Sequence, residues 1–456
     1  MSSGRTPRRW ARCGGLVLAA LSGVAHAQFF AHCSSASTAE LRQNIAEHDT
    51  HTHRLYKKFI TGQYWQGPMP ADFRPIELET VRASLGQMEP RRAAVLFYAY
   101  DEPMHRLCVW LIAADAPDVA VVLADVDVKS LRPAVTAELG VSTRSFPVRT
   151  SAISKQAFDE QMAALDRELE ELPSTERAAP SLGQLASTLL PGKVVDAILA
   201  QRIDTLIVMP VLDLGVLPYA ALPVGAGRML IDVASIVVAP GFFVFRNAPR
   251  TSNLDFAGAV VVGNPHGTDP EWRLASLPGA EAEAREIARM TNVEPILGPQ
   301  AREAVVVAQL RKRPAPPLIY FASHGVADDA NPLDQSFLLM SDGRLTAREI
   351  VAKVPAAQGT RPLVVLSACQ TGLGKNFDVG TIGMARAWQE VGASSVVMSL
   401  WLVGDRATQA LMTRFMAFAR ELPPDKALRQ AMLERRSEDP RVAAWASFAV
   451  FGAPER

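Results

Sequence analysis

The sequence predicts an α/β protein built around a mostly parallel sheet with helices on both faces. Beyond residue 257, apolar runs of five or six residues alternate with segments of helical periodicity, which is typical of buried parallel strands connected by helices. Apolar residues make up 48% of the 456 residues, so a sizeable core can form. Charged residues make up 21%, with 47 basic and 47 acidic, and together with the apolar content this argues against a disordered chain and a protein that coats nucleic acid.

The first 27 residues have the three-part layout of an export signal. Four arginines precede an apolar run of 12 residues from Gly14 to Ala25, and small residues stand at Ala25 and Ala27. The run is shorter than the roughly 20 residues that a membrane-spanning helix needs. We therefore predict cleavage after Ala27, a periplasmic or secreted protein, and no integral membrane segment after cleavage.

Loss of residues 1–27 changes both the net charge and the cysteine count. Four arginines and no acidic residue leave, so the formal net charge falls from zero to −4. Cys13 leaves with them, and Cys33, Cys108 and Cys369 remain. An odd cysteine in an oxidising compartment is either a free thiol or an intermolecular partner. A disulfide between Cys33 and Cys108 would leave Cys369 free, but the sequence leaves this pairing open.

Residues 28–90 predict a small helical lead-in, because their sparse apolar anchors recur at helical spacing. His48, His51 and His53 lie within this segment, but they do not share the i, i+4 face that helical zinc pairs use. We expect this histidine segment to form a solvated polar turn and not a metal site.

Residues 91–250 predict a first unit that begins with a β-hairpin. The two strands are Ala93–Tyr100 and Arg106–Ala113, separated by a turn that contains Pro103. The predicted elements that follow are an apolar run over Asp118–Val126, a helix over Ser154–Glu171, helices over Leu182–Leu190 and Val194–Leu199, a strand over Thr205–Met209 and a strand over Ile231–Val238. The polar segment Asn247–Asn253 predicts a domain boundary near residue 250.

Residues 251–456 predict a second unit in which strands and helices alternate. The predicted strands are Gly258–Val262, Leu318–Ala322, Leu363–Ser367 and Ser395–Leu400. The predicted helices are Gly279–Thr291, Ala301–Lys312, Leu345–Ile350, Gly383–Glu390 and Arg406–Arg420.

Two strands of the second unit end in residues that can carry covalent catalysis. One strand runs into Ser323-His324-Gly325, and another runs into Ala368-Cys369. Because catalytic groups gather beyond the carboxyl ends of parallel strands, we expect His324 and Cys369 to face each other across one cleft. Their separation of 45 residues is close to the roughly 50-residue histidine-to-cysteine spacing of caspase-type proteases.

The chemistry of a cysteine nucleophile assigns a role to each of these residues. The thiolate needs a base beside it and backbone N–H donors for the oxyanion that forms when it attacks a carbonyl. We predict Cys369 as the nucleophile, His324 as the general base, and the N–H groups of Gly325 and Cys369 as the oxyanion donors. The alternatives remain open at this point, since a cysteine after an apolar strand can simply pack and a histidine beside a glycine can simply occupy a turn.

Several motifs resemble those of CHAT-domain proteins, which are relatives of caspases and separases. The matching segments are Leu217–Pro223, Leu277–Glu281, Ser323–Gly325, Ser367–Gly372, Gly380–Trp388, Ser399–Asp405 and Trp445–Gly452. The resemblance covers about residues 93–456. It implies a caspase-hemoglobinase fold, with a pseudo-caspase half over residues 91–250 and a half over residues 251–456 that carries the His324–Cys369 dyad. It also implies a polypeptide substrate. The segment from Lys375 to Gly380 departs from the acidic segment of many relatives, so the loop beside the substrate pocket can differ.

Two acidic residues are candidates for substrate binding. A buried carboxylate at the base of a side-chain pocket favours arginine or lysine through charge-assisted hydrogen bonds. Asp405 follows the strand over Ser395–Leu400, and the comparable position in separases resembles a selector for arginine; Asp378 is the second candidate. The competing interpretation is that Asp405 only caps a helix that begins at Arg406, because aspartate is a favoured N-cap residue.

The sequence therefore supports two functions. The first is an exported CHAT-type cysteine endopeptidase, with a polypeptide substrate, a preference for cutting after basic residues and a protein activator as a further partner. The second is a catalytically silent CHAT-fold interaction or regulatory protein that binds a protein partner. We expect no cofactor, metal or nucleic acid, because phosphate-binding loops, dinucleotide fingerprints and paired-cysteine zinc motifs are absent from the sequence.

Overall fold

A computed structural model describes residues 31–61, 69–88, 90–139, 180–246, 255–266, 276–328, 331–359, 361–368, 375–377, 380–401 and 403–453. The predicted signal peptide, the predicted helix over Ser154–Glu171 and the predicted boundary at Asn247–Asn253 lie outside these ranges. Within them, the predicted α/β architecture is confirmed, because a large and mostly parallel sheet carries helices on both faces.

Eleven strands of the described ranges form one sheet in the order β3-β2-β1-β4-β7-β18-β17-β14-β10-β8-β9. These strands are β1 (Ala93–Asp101), β2 (Arg106–Ala113), β3 (Val119–Leu123), β4 (Thr205–Met209), β7 (Ser235–Val238), β8 (Val260–Gly263), β9 (Ile296–Leu297), β10 (Leu318–Ser323), β14 (Leu363–Ala368), β17 (Ser395–Ser399) and β18 (Phe448–Gly452). Smaller sheets contain β5 (Pro223–Gly225) with β6 (Arg228–Met229), β11 (Gly325–Val326) with β12 (Phe337–Met340) and β13 (Gly343–Thr346), and β15 (Lys375–Phe377) with β16 (Gly380–Ile382).

The α-helices of the same ranges are α1 (Thr38–Thr61), α2 (Leu78–Gly86), α3 (Val128–Glu138), α4 (Pro180–Leu189), α5 (Gly192–Ala200), α6 (Leu230–Val233), α7 (Pro278–Thr291), α8 (Glu303–Leu310), α9 (Ala347–Lys353), α10 (Met384–Glu390), α11 (Asp405–Ala419), α12 (Pro424–Glu438) and α13 (Val442–Trp445). Short 3₁₀ turns occur at Leu212–Val216, Tyr219–Ala221, Phe242–Phe245 and Gly298–Gln300. None of the helices in this part of the chain combines the length and apolarity needed to cross a membrane.

The sheet runs without interruption through both predicted halves of the chain. The last strand, β18, pairs in parallel with β7 of the first half and antiparallel with β17 of the second half. The predicted hairpin is confirmed as the antiparallel pair β1 and β2, and β4 has the predicted bounds. The central strands β4, β10 and β17 are buried along their whole length, which is typical of parallel strands covered on both faces.

Neighbouring residues of β10 show which helices cover which face. Tyr320 contacts Glu283 of α7, whereas the ring of Phe321 lies 5.9 Å from that of Trp388 of α10. Because successive side chains of a strand point to opposite faces, α7 and α10 lie on opposite sides of the sheet.

A disulfide joins the helical lead-in to the first half of the sheet. Cys33 precedes α1 and is bonded to Cys108 of β2, with the two Cα atoms 5.7 Å apart. Both residues are buried. This pairing leaves Cys369 as the third cysteine of the chain beyond Ala27.

The prediction of a solvated turn around His48 is wrong. The segment lies inside α1, where His48 and Asp49 are buried. The His48 ring makes edge-on contacts with Phe97 and Phe242, at centroid distances of 5.7 and 5.3 Å. Asp49 accepts a hydrogen bond from the backbone N–H of Ile76 at 2.9 Å. These polar residues can lie on a buried helical face because aromatic rings contact the His48 ring and a backbone N–H group hydrogen-bonds the Asp49 carboxylate.

Several element boundaries also differ from the predictions, two of them at α6 and α9. The strand predicted over Ile231–Val238 begins as the short helix α6, and only Ser235–Val238 is extended. The helix predicted from Leu345 begins at Ala347, because the Thr346 side chain accepts a hydrogen bond from Glu349 N–H and forms a capping box with that residue. Helix α12 was not predicted from the sequence at all.

Candidate active site

His324 stands immediately beyond the carboxyl end of β10. Strands β10 and β14 pair in parallel, and the last register pair is Ser323 with Ala368. His324 and Cys369 are therefore the residues that directly follow two paired positions. The His324 side chain is buried, at 5% relative exposure. Cys369 lies outside the described residues, so its thiol has no described geometry.

The backbone N–H group of Gly325, the residue after His324, points away from the small sheet of β11, β12 and β13. Leu339 donates its N–H to the His324 carbonyl oxygen at 2.9 Å, and Gly325 is in register with Leu338. In an antiparallel ladder this pattern makes Gly325 and Leu338 the pair without mutual hydrogen bonds. The Gly325 N–H consequently points away from β12.

Asp405 is the first residue of α11 and does not cap a helix that begins at Arg406, because the N-cap position belongs to Gly404. Its carboxylate instead accepts a hydrogen bond from the Gly279 N–H at 2.6 Å, at the start of α7. That N–H is one of the donors that every helix leaves unpaired in its first turn. A Cβ atom at Gly279 would lie 2.5 Å from Asp405 Oδ2, so the close approach requires glycine. The N-cap interpretation is therefore wrong for α11, and Asp405 caps α7 instead.

A small cavity, with room for about one or two water molecules, lies at the ends of β10, β14 and β17. Its polar lining consists of Glu283, Ser323, Ser367, Ser399, Asp405 and Thr408, and its apolar lining consists of Leu277, Ala280, Val403 and Phe448. Two of these residues, Ser323 and Ser367, stand one and two positions before His324 and Cys369. The cavity thus adjoins the strand ends that carry the predicted dyad. Asp378, the second predicted substrate-binding residue, lies outside the described residues.

Glu283 is a buried carboxyl that the sequence did not single out. It lies on α7 at 1% relative exposure, and the Tyr320 hydroxyl donates a hydrogen bond to its Oε1 atom at 2.7 Å. Burial raises the pKa of Glu283 to about 7; the hydroxyls of Ser367 and Tyr320 lower this pKa, and the charge of Asp405 raises it. The sequence does contain a signal for this residue, because Glu283 falls on the apolar face of an amphipathic helix. Its neighbours on that face, Ala280, Ala284 and Ile287, are all buried.

Trp388 and Trp401 are fully buried side chains, as expected of core aromatic residues. Among the described residues, no three histidine, cysteine or acidic side chains converge in a way that could hold a metal ion.

Comparison with solved structures identifies the fold. The separase–securin complex of Saccharomyces cerevisiae matches in two structures, with TM-scores of 0.54 and 0.52, 12% identity, and coverage of 93% and 92% of this chain. This chain spans only 35% and 34% of those separase chains. Gingipain R (RgpB), an arginine-specific cysteine proteinase, matches with a TM-score of 0.41 and 10% identity, over 66% of this chain and 76% of that chain. RgpB of Porphyromonas gingivalis with its pro-domain matches with a TM-score of 0.39 and 10% identity, over 66% of this chain and 77% of that chain.

Sequence comparison identifies the family. Among proteins with curated functions, none is similar enough in sequence to match this chain. The family model of the CHAT domain, in contrast, matches residues 179–453, which is more than half of the chain. The predicted caspase-like fold is confirmed by the structural matches, and the chain belongs to the CHAT domain family.

Proposed function

We propose that this chain is a cysteine endopeptidase in which Cys369 is the nucleophile and His324 is the general base. The observation that carries the proposal is the parallel pairing of β10 with β14, whose last register pair immediately precedes His324 and Cys369. The buried surroundings of His324 also favour catalysis, since charge–charge interactions are stronger where water is excluded.

In the proposed mechanism, His324 first removes the proton of the Cys369 thiol. The Cys369 thiolate attacks the carbonyl carbon of the scissile peptide bond, and the N–H groups of Gly325 and Cys369 stabilise the oxyanion. Protonated His324 then transfers its proton to the leaving amine, which breaks the peptide bond and leaves a thioester. His324 next removes a proton from a water molecule, and the resulting hydroxide attacks the thioester and releases the new carboxylate.

We propose further that the enzyme cuts after basic residues and that Asp405 binds the basic side chain. The support is that Asp405 lines the cavity beside the ends of β10 and β14. Asp378 remains a second candidate from the sequence. A protein activator or inhibitor also remains a proposal, and the matching separase structures are complexes with securin.

We propose that residues 1–27 direct export to the periplasm or the extracellular medium. The buried disulfide between Cys33 and Cys108 supports this proposal, because disulfides persist in oxidising compartments. Mass spectrometry of the N-terminus of the expressed full chain tests it: export predicts a mature protein that begins at Gln28. A cytoplasmic protein that retains residues 1–27 would overturn the export proposal.

The catalytic proposal is tested with a peptide library and four versions of the protein beginning at Gln28. We expect the wild type to cleave peptides, and we expect Cys369→Ala and His324→Ala each to lower kcat by at least about 10³-fold. His105→Gln, a substitution in the turn between β1 and β2, serves as the matched control and should retain activity.

Alkylation by iodoacetamide provides an independent measure. Because Cys33 and Cys108 are bonded to each other, label incorporation reports on Cys369. Rapid alkylation that is slowed by His324→Ala supports a thiolate held by the histidine. Slow alkylation together with the absence of cleavage in the wild type would overturn the enzyme and favour the partner-binding function.

A further inference from the structure

The peptide group that joins His324 to Gly325 is held by two hydrogen-bond donors. The His324 carbonyl oxygen accepts the Leu339 N–H of β12 at 2.9 Å. The Ser323 hydroxyl lies 2.9 Å from the same oxygen and 3.2 Å from the carbonyl oxygen of Leu339. Ser323 is the last residue of β10 and is buried at 1% relative exposure. Both contacts of this hydroxyl therefore tie the end of β10 to its junction with β12.

The direction of the His324 carbonyl group also fixes the direction of the Gly325 N–H. The two groups belong to one trans peptide, so they point in opposite directions. The carbonyl oxygen of Ala322 accepts the N–H of Asn264, which follows β8. Because carbonyl groups two residues apart on an extended backbone point to the same side, the His324 carbonyl group points to the β8 side of β10. The Gly325 N–H consequently points to the other side, where β14 pairs with β10 and leads to Cys369.

We propose that Ser323 is a positioning residue of the oxyanion site, whose hydroxyl fixes the His324–Gly325 peptide group so that the Gly325 N–H faces the oxyanion. The inference rests on the proposed function, because that function assigns the Gly325 N–H as an oxyanion donor. It adds a residue that acts on the reaction through the backbone of its neighbours and not through the substrate.

A hydroxyl at this position matters because glycine offers little resistance to rotation of the peptide group. Gly325 has no Cβ atom, so the backbone there can adopt conformations that other residues exclude. Rotation of the peptide group would turn its N–H away from the oxyanion and place the carbonyl oxygen, which repels an anion, on that side. The hydrogen bonds from Leu339 and Ser323 oppose this rotation. The donor is then in place before the substrate binds, as stabilisation of a transition state requires.

Steady-state kinetics with a peptide that the wild type cleaves test the inference. Ser323→Ala removes the hydroxyl, and we expect kcat to fall by about tenfold or more with KM unchanged, because the oxyanion forms only as the bond is attacked. Ser323→Thr keeps a hydroxyl and should retain kcat within about threefold of the wild type. Ser341→Ala is the matched control and should keep the wild-type kcat. Ser341 is a buried serine of the turn between β12 and β13, and its hydroxyl donates to the carbonyl oxygen of Pro299 at 3.0 Å.

Alkylation by iodoacetamide distinguishes a displaced oxyanion donor from a disturbed dyad. The Cys369 thiolate displaces iodide from the methylene carbon of this reagent, and that step creates no oxyanion. In Ser323→Ala we therefore expect the wild-type rate of alkylation together with the lower kcat. Equal falls in kcat and in the rate of alkylation would show that Ser323 acts on the whole dyad, and would overturn the inference. An unchanged kcat in Ser323→Ala that thermal unfolding shows to be folded would overturn it as well.

Hydrogen exchange of the Leu339 amide separates failure of this inference from failure of the proposed function, because it requires no cleavage. If the Ser323 hydroxyl holds the acceptor of this N–H, Ser323→Ala should raise its exchange rate by about fivefold, and Ser341→Ala should change it less. Faster exchange in Ser323→Ala supports the hold on the peptide group even if the wild type cleaves no peptide. An unchanged rate overturns it and leaves the dyad untouched. If Ser323→Ala does not fold, a wild-type Leu339 amide that exchanges as fast as that of the exposed turn residue Asp342 overturns the inference.

Discussion

Glu283 and Asp405 illustrate how position decides what a carboxyl group can do. Asp405 lies where two helices begin, since it is the first residue of α11 and accepts the N–H of Gly279 at the start of α7. Helix N-termini carry partial positive charge and favour an anion. Glu283 lies further along α7 and is buried against Tyr320 of the sheet, where burial raises its pKa. The two groups therefore line one cavity from different surroundings, Asp405 at the start of two helices and Glu283 in the buried contact between α7 and the sheet.

Substitution of Asp405 should separate its structural role from its charge. Asp405→Ala removes the acceptor for the Gly279 N–H, and we expect the free energy of unfolding to fall by about 1–2 kcal/mol. Asp405→Asn retains an oxygen acceptor and should lose less stability. Both variants should lose the preference for a peptide with arginine before the scissile bond over the same peptide with uncharged citrulline there. Urea unfolding measures the change in stability, and the ratio of the two kcat/KM values measures the change in preference. Equal destabilisation by alanine and asparagine would contradict the capping role.

At the level of residues, the sequence indicated candidate functional side chains at the ends of strands. It did not indicate side chains whose contacts lie on different elements. His324 and Cys369 were identified because buried strands precede them, and a parallel sheet brings such positions together. Glu283 was missed because its partner Tyr320 is 37 residues away in the chain, and no local pattern signals that contact. The burial of His48 was missed for the same reason, since Phe97 and Phe242 surround it only in the folded chain.

Helix α12 joins the second half of the chain to the first in addition to the pairing of β18 with β7. Lys426 pairs with Asp204, Arg429 donates to the carbonyl oxygen of Ile231, and Arg436 pairs with Asp232. The composition of the helix explains why it escaped prediction. Its buried face mixes Leu428 and Met432 with small and polar residues such as Asp425, so the apolar periodicity that revealed α7 and α11 is weaker here.

Asp425, near the start of α12, should be the most sensitive position of this connection. Its carboxylate is buried at 3% relative exposure, accepts a hydrogen bond from Ser235 Oγ at 2.6 Å and pairs with Arg91 at 3.4 Å. Asp425→Ala removes the carboxylate that pairs with Arg91 and the shortest hydrogen bond of the Ser235 hydroxyl, so we expect the free energy of unfolding to fall by about 3–5 kcal/mol.

Denaturant unfolding monitored by circular dichroism tests the Asp425 prediction. Glu438→Ala, at the exposed end of the same helix, is the matched control and should cost no more than about 1 kcal/mol, because its ion pair with Arg414 is more exposed. A loss for Asp425→Ala as small as that of the control would show that α12 does not hold the halves together through this group.

At the scale of the whole molecule, two histidines of α1 and Glu283 of α7 act on stability in opposite directions as the pH changes. Burial lowers the pKa of His48 to about 3 from 6.5, so between these values the unfolded chain binds more protons and stability falls as the pH falls. Burial lowers the pKa of His51, on the same helix, to about 4, with the same sign. The pKa of Glu283 is raised from 4.5 to about 7, so in that range the native state binds more protons and stability falls as the pH rises. The two effects partly cancel in the wild type.

Single substitutions should reveal each of the opposed effects in the folded protein. His48→Met removes a group that stays neutral in the native state, so the loss of stability from pH 8 to pH 5 should be about 2 kcal/mol smaller than in the wild type. In Glu283→Gln, the loss of stability from pH 8 to pH 5 should be about 2–3 kcal/mol larger than in the wild type, since the substitution removes a group that lowers stability at pH 8. Thr50→Ala, a change without an ionisable group on α1, should alter stability equally at both pH values. Urea unfolding at pH 5 and pH 8 measures these differences, and a His48→Met variant with the wild-type pH dependence would show that His48 is protonated in the native state at pH 5.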